Sequence, residues 1–160
     1  PFRGIAVKMS KCFIAIDPGV SGGFSQFVDG EIIDAWRFTS LSDFSDEVYE
    51  LMENPEYEVE FVLEDCPPFA GKNIPSSAGF KLGRSCGFYE GLARGLRIPC
   101  HLIPPRTWQK GLTGLAKGGP QRKRMLKDHA SRLYPSLGKK VTLATADAIL
   151  IGHYQIFAEL

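Results

Sequence analysis

Apolar positions fall along this chain in two rhythms, one of strands and one of helices. Residues 11–16 are almost continuously apolar and predict a buried central strand. Residues 22–28 and 31–38 flank Asp29-Gly30, a pair that readily takes the positive φ angles of a tight hairpin. Three antiparallel strands therefore open the fold. From 41 to 52 the spacing turns helical, with Leu41, Phe44, Val48, Leu51 and Met52 on one side, Ser40 or Ser42 as cap and Asn54-Pro55 as stop. A strand is expected at 59–64, then a Pro-, Gly- and Ser-rich loop over 67–77. A helix at 78–96 carries the stripe Leu82, Cys86, Tyr89, Ala93 and Leu96. Residues 100–103 predict a short strand, 106–110 a short helix, 112–120 a mobile loop and 121–133 a basic amphipathic helix. Thr142 or Thr145 then caps a last helix reaching about residue 157. The order βββ-α-β-α-β-α-α predicts an α/β domain with helices covering a mixed five-stranded sheet.

Two of these strands end in acids. Asp17 closes the first and is followed by Pro18-Gly19-Val20-Ser21-Gly22-Gly23; Glu64 closes the strand at 59–64. A lone acid in such a place also serves as a turn former or N-cap, but the repeat of the pattern and a third carboxylate, Asp147, at the start of the last helix favour a site. If the two strands run side by side and parallel, Asp17 and Glu64 emerge at one edge, where α/β sheets bind ligands. Three adjoining carboxylates repel one another. Mg²⁺ or Mn²⁺, hard cations that prefer oxygen, remove that cost. Two such ions would activate water and stabilise a leaving oxygen in phosphodiester hydrolysis. The glycines after Asp17 leave room for a phosphate backbone. Sugar kinases and actin-like ATPases open with a similar strand, Asp and Gly-rich hairpin, but need a second domain that 160 residues do not supply.

Composition sharpens this reading. The net charge of +1 hides a segregation: residues 43–65 hold ten acids and no Lys or Arg, whereas 106–140 hold ten bases against Asp128 alone. A basic block beside a carboxylate site suits a polyanionic substrate; the plainer alternative is a solvated helix face. The four cysteines form no Cys-x-x-Cys pair, so a zinc site is not expected. Cys12 and Cys100 read as buried free thiols, which suits a reducing compartment. His101, His129 and His153 lack ligand spacing and read as structural. No apolar run reaches the ~20 residues of a membrane span, so no membrane partner is expected. Residues 1–8 precede Met9-Ser10-Lys11 and read as a leader or expression remnant, or as an extra strand, before a single domain at 9–160.

One feature of the helix at 78–96 works against helix formation. Gly79, Gly83, Gly87, Gly91 and Gly95 recur every fourth residue, at about 1 kcal/mol each relative to alanine. Missing Cβ atoms permit close approach, either within the domain or across the twofold axis of a homodimer.

Together, Ile16-Asp17-Pro18-Gly19, Leu63-Glu64 with Phe69 beyond it, the Gly-rich helix, Thr107-Trp108 and Ala146-Asp147-Ala148 resemble the RuvC-type Holliday junction resolvases of the RNase H-like superfamily. The likeness spans Met9 to about Tyr154. Pro67-Pro68-Phe69, Thr107-Trp108 and Leu133-Tyr134-Pro135 look closer to the plant organellar and viral or phage branches. The resemblance implies an RNase H-like fold and a homodimeric endonuclease of the cytoplasm or an organelle matrix. Such an enzyme makes paired symmetric nicks in a four-way DNA junction, leaving 5′-phosphates. It implies catalysis and metal binding by Asp17, Glu64 and Asp147, with Mg²⁺ or Mn²⁺, two ions per site. It also implies a dimer seam along Gly79, Gly83, Gly87 and Gly91, and Phe69 as a wedge at the junction centre, unless Phe69 merely anchors its loop. Lys72, Arg84, Arg106, Lys110, Lys117, Arg122, Lys123 and Arg124 would contact DNA, chiefly its phosphates. One departure stands out. The family has a fourth acid or histidine one turn before the final Asp, where this chain has Ala144 and Leu143. Either three carboxylates suffice, or Ala144 is an inactivating replacement, or the chain binds junctions without cutting them. A nuclease for RNA–DNA hybrids or flaps is the other reading within the fold.

Overall fold

A computed structural model describes residues 9–66 and 75–158. Residues 1–8, Pro67-Pro68-Phe69 and Lys72, to which the sequence gives roles, lie outside the described residues. Strands β1 (Ser10–Ile16), β2 (Gly23–Val28) and β3 (Glu31–Arg37) form the expected antiparallel meander, turned at Asp29 (φ 48°) and Gly30 (φ 87°). Helix α1 (Leu41–Glu53) leads to β4 (Tyr57–Glu64), and α2 (Ser76–Leu96) to β5 (Cys100–Ile103). The chain ends in α3 (Pro105–Trp108), α4 (Gly119–Leu133), a 3₁₀ segment (Pro135–Lys140) and α5 (Ala146–Ala158). The sheet runs β3-β2-β1-β4-β5, with β4 parallel to both β1 and β5. The expected mixed five-stranded α/β architecture is the observed one.

Side chains alternate across each strand, and the alternation sorts the core into two layers. Phe13, Ala15, Phe27 and Val62 pack with Trp108, Leu126, Ile149 and Leu150 of the C-terminal helices. Ile14, Ile16, Phe24, Phe61 and Leu63 pack with Phe44 and Val48 of α1 and Tyr89 and Ala93 of α2. Ser40 caps α1 as expected, its hydroxyl accepting from the Asp43 N–H at 3.1 Å.

α5 is clamped to β2 at two points. The Ser25 hydroxyl donates to the Ala148 carbonyl at 2.9 Å in a fully buried bond. One turn on, Gly152 lies so close to the Phe27 ring that a Cβ there would overlap it. Gly152→Ala is therefore expected to lower stability by about 1–3 kcal/mol, the usual cost of overpacking a core, measured as a lower urea midpoint with unchanged slope.

Candidate active site

The route to the site begins in the register of β1 and β4. Phe13 pairs with Glu60, Ala15 with Val62 and Ile16 with Leu63, so Asp17 and Glu64 are the next residues on adjacent parallel strands. By alternation both continue the face of Phe13, Ala15 and Val62, the face that α5 covers. Asp147 lies in the first turn of α5. That turn is built by threonines: Thr142 Oγ1 accepts from the N–H groups of Ala144 and Thr145, both at 3.2 Å, while Thr145 Oγ1 accepts from the Thr142 N–H and donates to the Lys140 carbonyl.

Two glycines let the pieces approach. A Cβ on Gly22 would strike the Asp17 carbonyl and lie 2.8 Å from its carboxylate. A Cβ on Gly23 would lie 2.6 Å from the Trp36 carbonyl and 2.8 Å from that of Ala144. The glycine-rich turn thus holds Asp17 and seats the approach to α5.

The three carboxylates feel one another. Burial first, then the charge of Asp147, pushes Asp17 up to about 7, against the Gly19 N–H and Lys123. Burial and then the charge of Asp17 push Glu64 up to about 7, with Asp147 adding to the rise and a hydrogen bond from Trp108 opposing it. Burial raises Asp147 too, moderated by Lys123 and Arg122. The site is an oxygen-only, anionic cluster whose charge is only partly compensated by the protein, which suits hard divalent cations. Among the described residues no three acidic, His or Cys side chains close into a ready-made cage around one ion.

Of the basic residues singled out, Arg122, Lys123 and Arg124 line a cleft of about 530 Å³ with Asp147, Gln109 and Leu143. Arg122 also braces the preceding loop, donating to the Ala116 carbonyl at 2.8 Å and to Gln109 Oε1. Arg106, Lys110 and Lys117 are exposed on α3 and the loop after it, and Arg84 is exposed on α2, 6.0 Å from the Phe80 ring. Ala144 lines a second cleft, of about 420 Å³, with Val20, Ser21 and Gly22, so position 144 adjoins the Asp17 turn without offering a ligand. On α2, Cβ atoms added at Gly83, Gly87, Gly91 or Gly95 would meet no described atom within 4 Å. Among the described residues, no packing partner outside the helix accounts for these four glycines.

Two features escaped the sequence reading. Cys66, two residues beyond Glu64, forms a disulfide with Cys86 of α2; their spacing of 20 matches no pattern that would have paired them. Free thiols remain at Cys12, buried, and Cys100, half-buried. The second is Trp108, whose indole N–H donates to Glu64 Oε1 at 3.0 Å. A Trp closing a short helix after a strand was the available signal, because a buried indole N–H needs an acceptor. Two of the histidines have side-chain partners away from the acids: His101 pairs with the buried Glu60 at 2.6 Å, and His153 with the Tyr134 hydroxyl at 2.7 Å.

No protein-family model and no curated protein matches the chain. Solved structures do. A Thermus thermophilus RuvC structure aligns with a TM-score of 0.60 at 16% identity, covering 92% of this chain and 95% of that one. T. thermophilus RuvC in complex with Holliday junction substrate aligns with a TM-score of 0.59 at 16% identity, covering 93% and 95%. The chain has the RNase H-like fold of these structures.

The raised carboxylates set a pH dependence. Asp17 binds a proton below about 7 in the folded protein but only near its ordinary 3.8 once unfolded, so its ionisation costs folding stability increasingly across that interval. In EDTA, Asp17→Asn should therefore raise the melting temperature above about pH 7, with the gain shrinking as pH falls and vanishing near 3.8. A gain independent of pH would show that the charge of Asp17 is not the source.

Proposed function

We propose that this protein is a divalent-metal-dependent endonuclease that resolves four-way DNA junctions. The observation that carries the proposal is the meeting of Asp17, Glu64 and Asp147 at one sheet edge, with Lys123 and Arg122 close enough to offset their charge. The RuvC fold, found also in a structure bound to a Holliday junction substrate, supports the choice of DNA substrate.

Asp17, Glu64 and Asp147 would hold two Mg²⁺ or Mn²⁺ ions, with Asp17 central because both other carboxylates act on it or feel its charge. Bound there, the ions supply a nucleophilic water and stabilise the leaving oxygen of the phosphodiester. Mg²⁺ usually takes one or two protein carboxylates and completes its shell with water and substrate phosphate, which agrees with a carboxylate set that does not close into a cage. Lys123 faces Asp17 and Asp147 from α4 and would draw the scissile phosphate toward them. Arg124, Lys110, Lys117, Arg106 and Arg84 would meet the flanking phosphates and give affinity with strong salt dependence rather than sequence choice. Lys72 and Phe69 keep the roles of phosphate contact and junction wedge as proposals from the sequence alone.

The glycine row supports a homodimer. Cβ positions at Gly83, Gly87, Gly91 and Gly95 face nothing described within 4 Å outside the helix's own backbone, so a second copy of α2 could approach there. Two active sites related by a twofold axis would then nick strands of like polarity. Gly91→Leu places a branched side chain in that open space. It is expected to leave the monomer folded and weaken dimerisation at least tenfold in sedimentation equilibrium; unchanged dimerisation would remove the seam.

The specific competing reading is a junction binder without nuclease activity, favoured by Ala144, which adjoins the site and carries no ligand. A labelled junction, an RNA–DNA hybrid and a duplex, each incubated with Mg²⁺ or Mn²⁺, separate the possibilities. Paired symmetric nicks in the junction alone are expected. Asp17→Asn should bind the junction as tightly as the parent and cut nothing. Junction binding without nicks in either metal, with cutting gained in Ala144→Asp, would identify Ala144 as the inactivating position.

A further inference from the structure

Glu64 stands at the end of a strand between like charges, and repulsion alone would turn its carboxylate away from Asp17 and Asp147. The terminal torsion of a glutamate is broad and roughly twofold, so the side chain needs an external partner to choose an orientation. The structure supplies one. Trp108 is 3% exposed and gives its indole N–H to Glu64 Oε1 at 3.0 Å. The indole is held from behind, in the core layer of Val62, Ile103, Ala146 and Ile149. Its backbone is fixed relative to Glu64 as well. Ile103, the last residue of β5, pairs with Glu64 in the sheet and accepts from the Asp65 N–H at 2.9 Å. Pro104 and Pro105 then start α3, where the Pro104 carbonyl accepts from the Thr107 N–H at 2.8 Å.

We infer that Trp108 is a positioning residue: it occupies Oε1 of Glu64 and thereby aims the other oxygen at the bound cation. The role rests on the reading of Glu64 as an ion ligand. An indole suits it chemically. It is a donor only, so it cannot itself capture a metal. It is uncharged, so unlike Lys or Arg it orients the carboxylate without competing with the cation for its charge. The dependence is mutual, because the buried N–H also needs the acceptor that Glu64 provides. Partners that orient metal ligands in this way typically account for about 10–100-fold in metal affinity.

The test replaces Trp108 with 3-benzothienylalanine by nonsense suppression, which keeps the bicyclic shape and puts sulfur where the N–H was. 5-Fluorotryptophan at the same position keeps the N–H. Mn²⁺ binding to the DNA-free protein is followed by electron paramagnetic resonance, beside thermal melting and junction binding in EDTA. The benzothienyl protein should fold and bind junctions like the parent, yet bind Mn²⁺ about 10–100-fold more weakly and need correspondingly more Mg²⁺ for half-maximal nicking. The fluorotryptophan protein should bind Mn²⁺ as the parent does. Unchanged Mn²⁺ affinity in the benzothienyl protein, with affinity lost in Glu64→Gln, would overturn the role of Trp108 alone and leave it as packing. A parent protein that binds no Mn²⁺ would overturn the ion-ligand reading of Glu64, and the positioning role with it.

Discussion

The parallel register of β1 on β4 is the constraint on which the rest of this molecule depends. It places the ends of two strands side by side and, through the twofold alternation of side chains, turns Asp17 and Glu64 onto the same face. A slip of one residue would send one of them into the opposite layer, among Phe24, Phe44 and Tyr89. That slip is opposed by the whole apolar pattern, since it would also bring buried Phe61 and Leu63 to the other face. The core fixes the register, and the register delivers the charges. The remaining carboxylate reaches them because α5 is held on β2 by the Ser25–Ala148 bond and the Gly152–Phe27 contact.

Electrostatics divide the labour between two parts of the chain. The sheet edge holds only partly compensated negative charge in a partly buried place, while α4 presents Arg122, Lys123 and Arg124 along the adjoining cleft. Folding tolerates this because the carboxylates are free to take up protons near neutrality, at about 7 for Asp17 and Glu64. Arg122 shows that the basic helix is not simply an exposed charged face: part of its guanidinium is committed to Gln109 and the Ala116 carbonyl. The loop before α4 is thereby tied to the helix whose next residue, Lys123, faces the acids.

Much of this was legible in the sequence, for physical reasons. The order of elements followed from the apolar run at 12–16, the Asp-Gly hairpin and the switch of period at residue 41. The acids were conspicuous because charges rarely end buried strands without a partner. What escaped was whatever depends on two distant segments meeting. The Cys66–Cys86 link joins the end of β4 to α2, and only folding reveals that they are neighbours. The Trp108–Glu64 bond likewise spans 44 residues. Helix boundaries moved too: α2 begins at Ser76 and α4 at Gly119, earlier than their apolar stripes indicate. The 3₁₀ segment at Pro135–Lys140 carries too few apolar residues to announce itself, although Leu137 within it is buried. The glycine row was visible from the start, but only the structure shows that nothing described in this chain fills the space beside it.

Gly22 changes what counts as the site. Its missing Cβ is the volume into which the Asp17 carboxylate is folded, so adding one carbon there would displace the acid while leaving it in the sequence. A residue with no functional group in this sense shares the function of Asp17: its replacement would disturb the placement of the acid and also strike the backbone that carries it. A survey of variants that scored chemistry by side-chain type would pass over it, whereas one that scored tolerance position by position would group the glycine with the aspartate it makes room for.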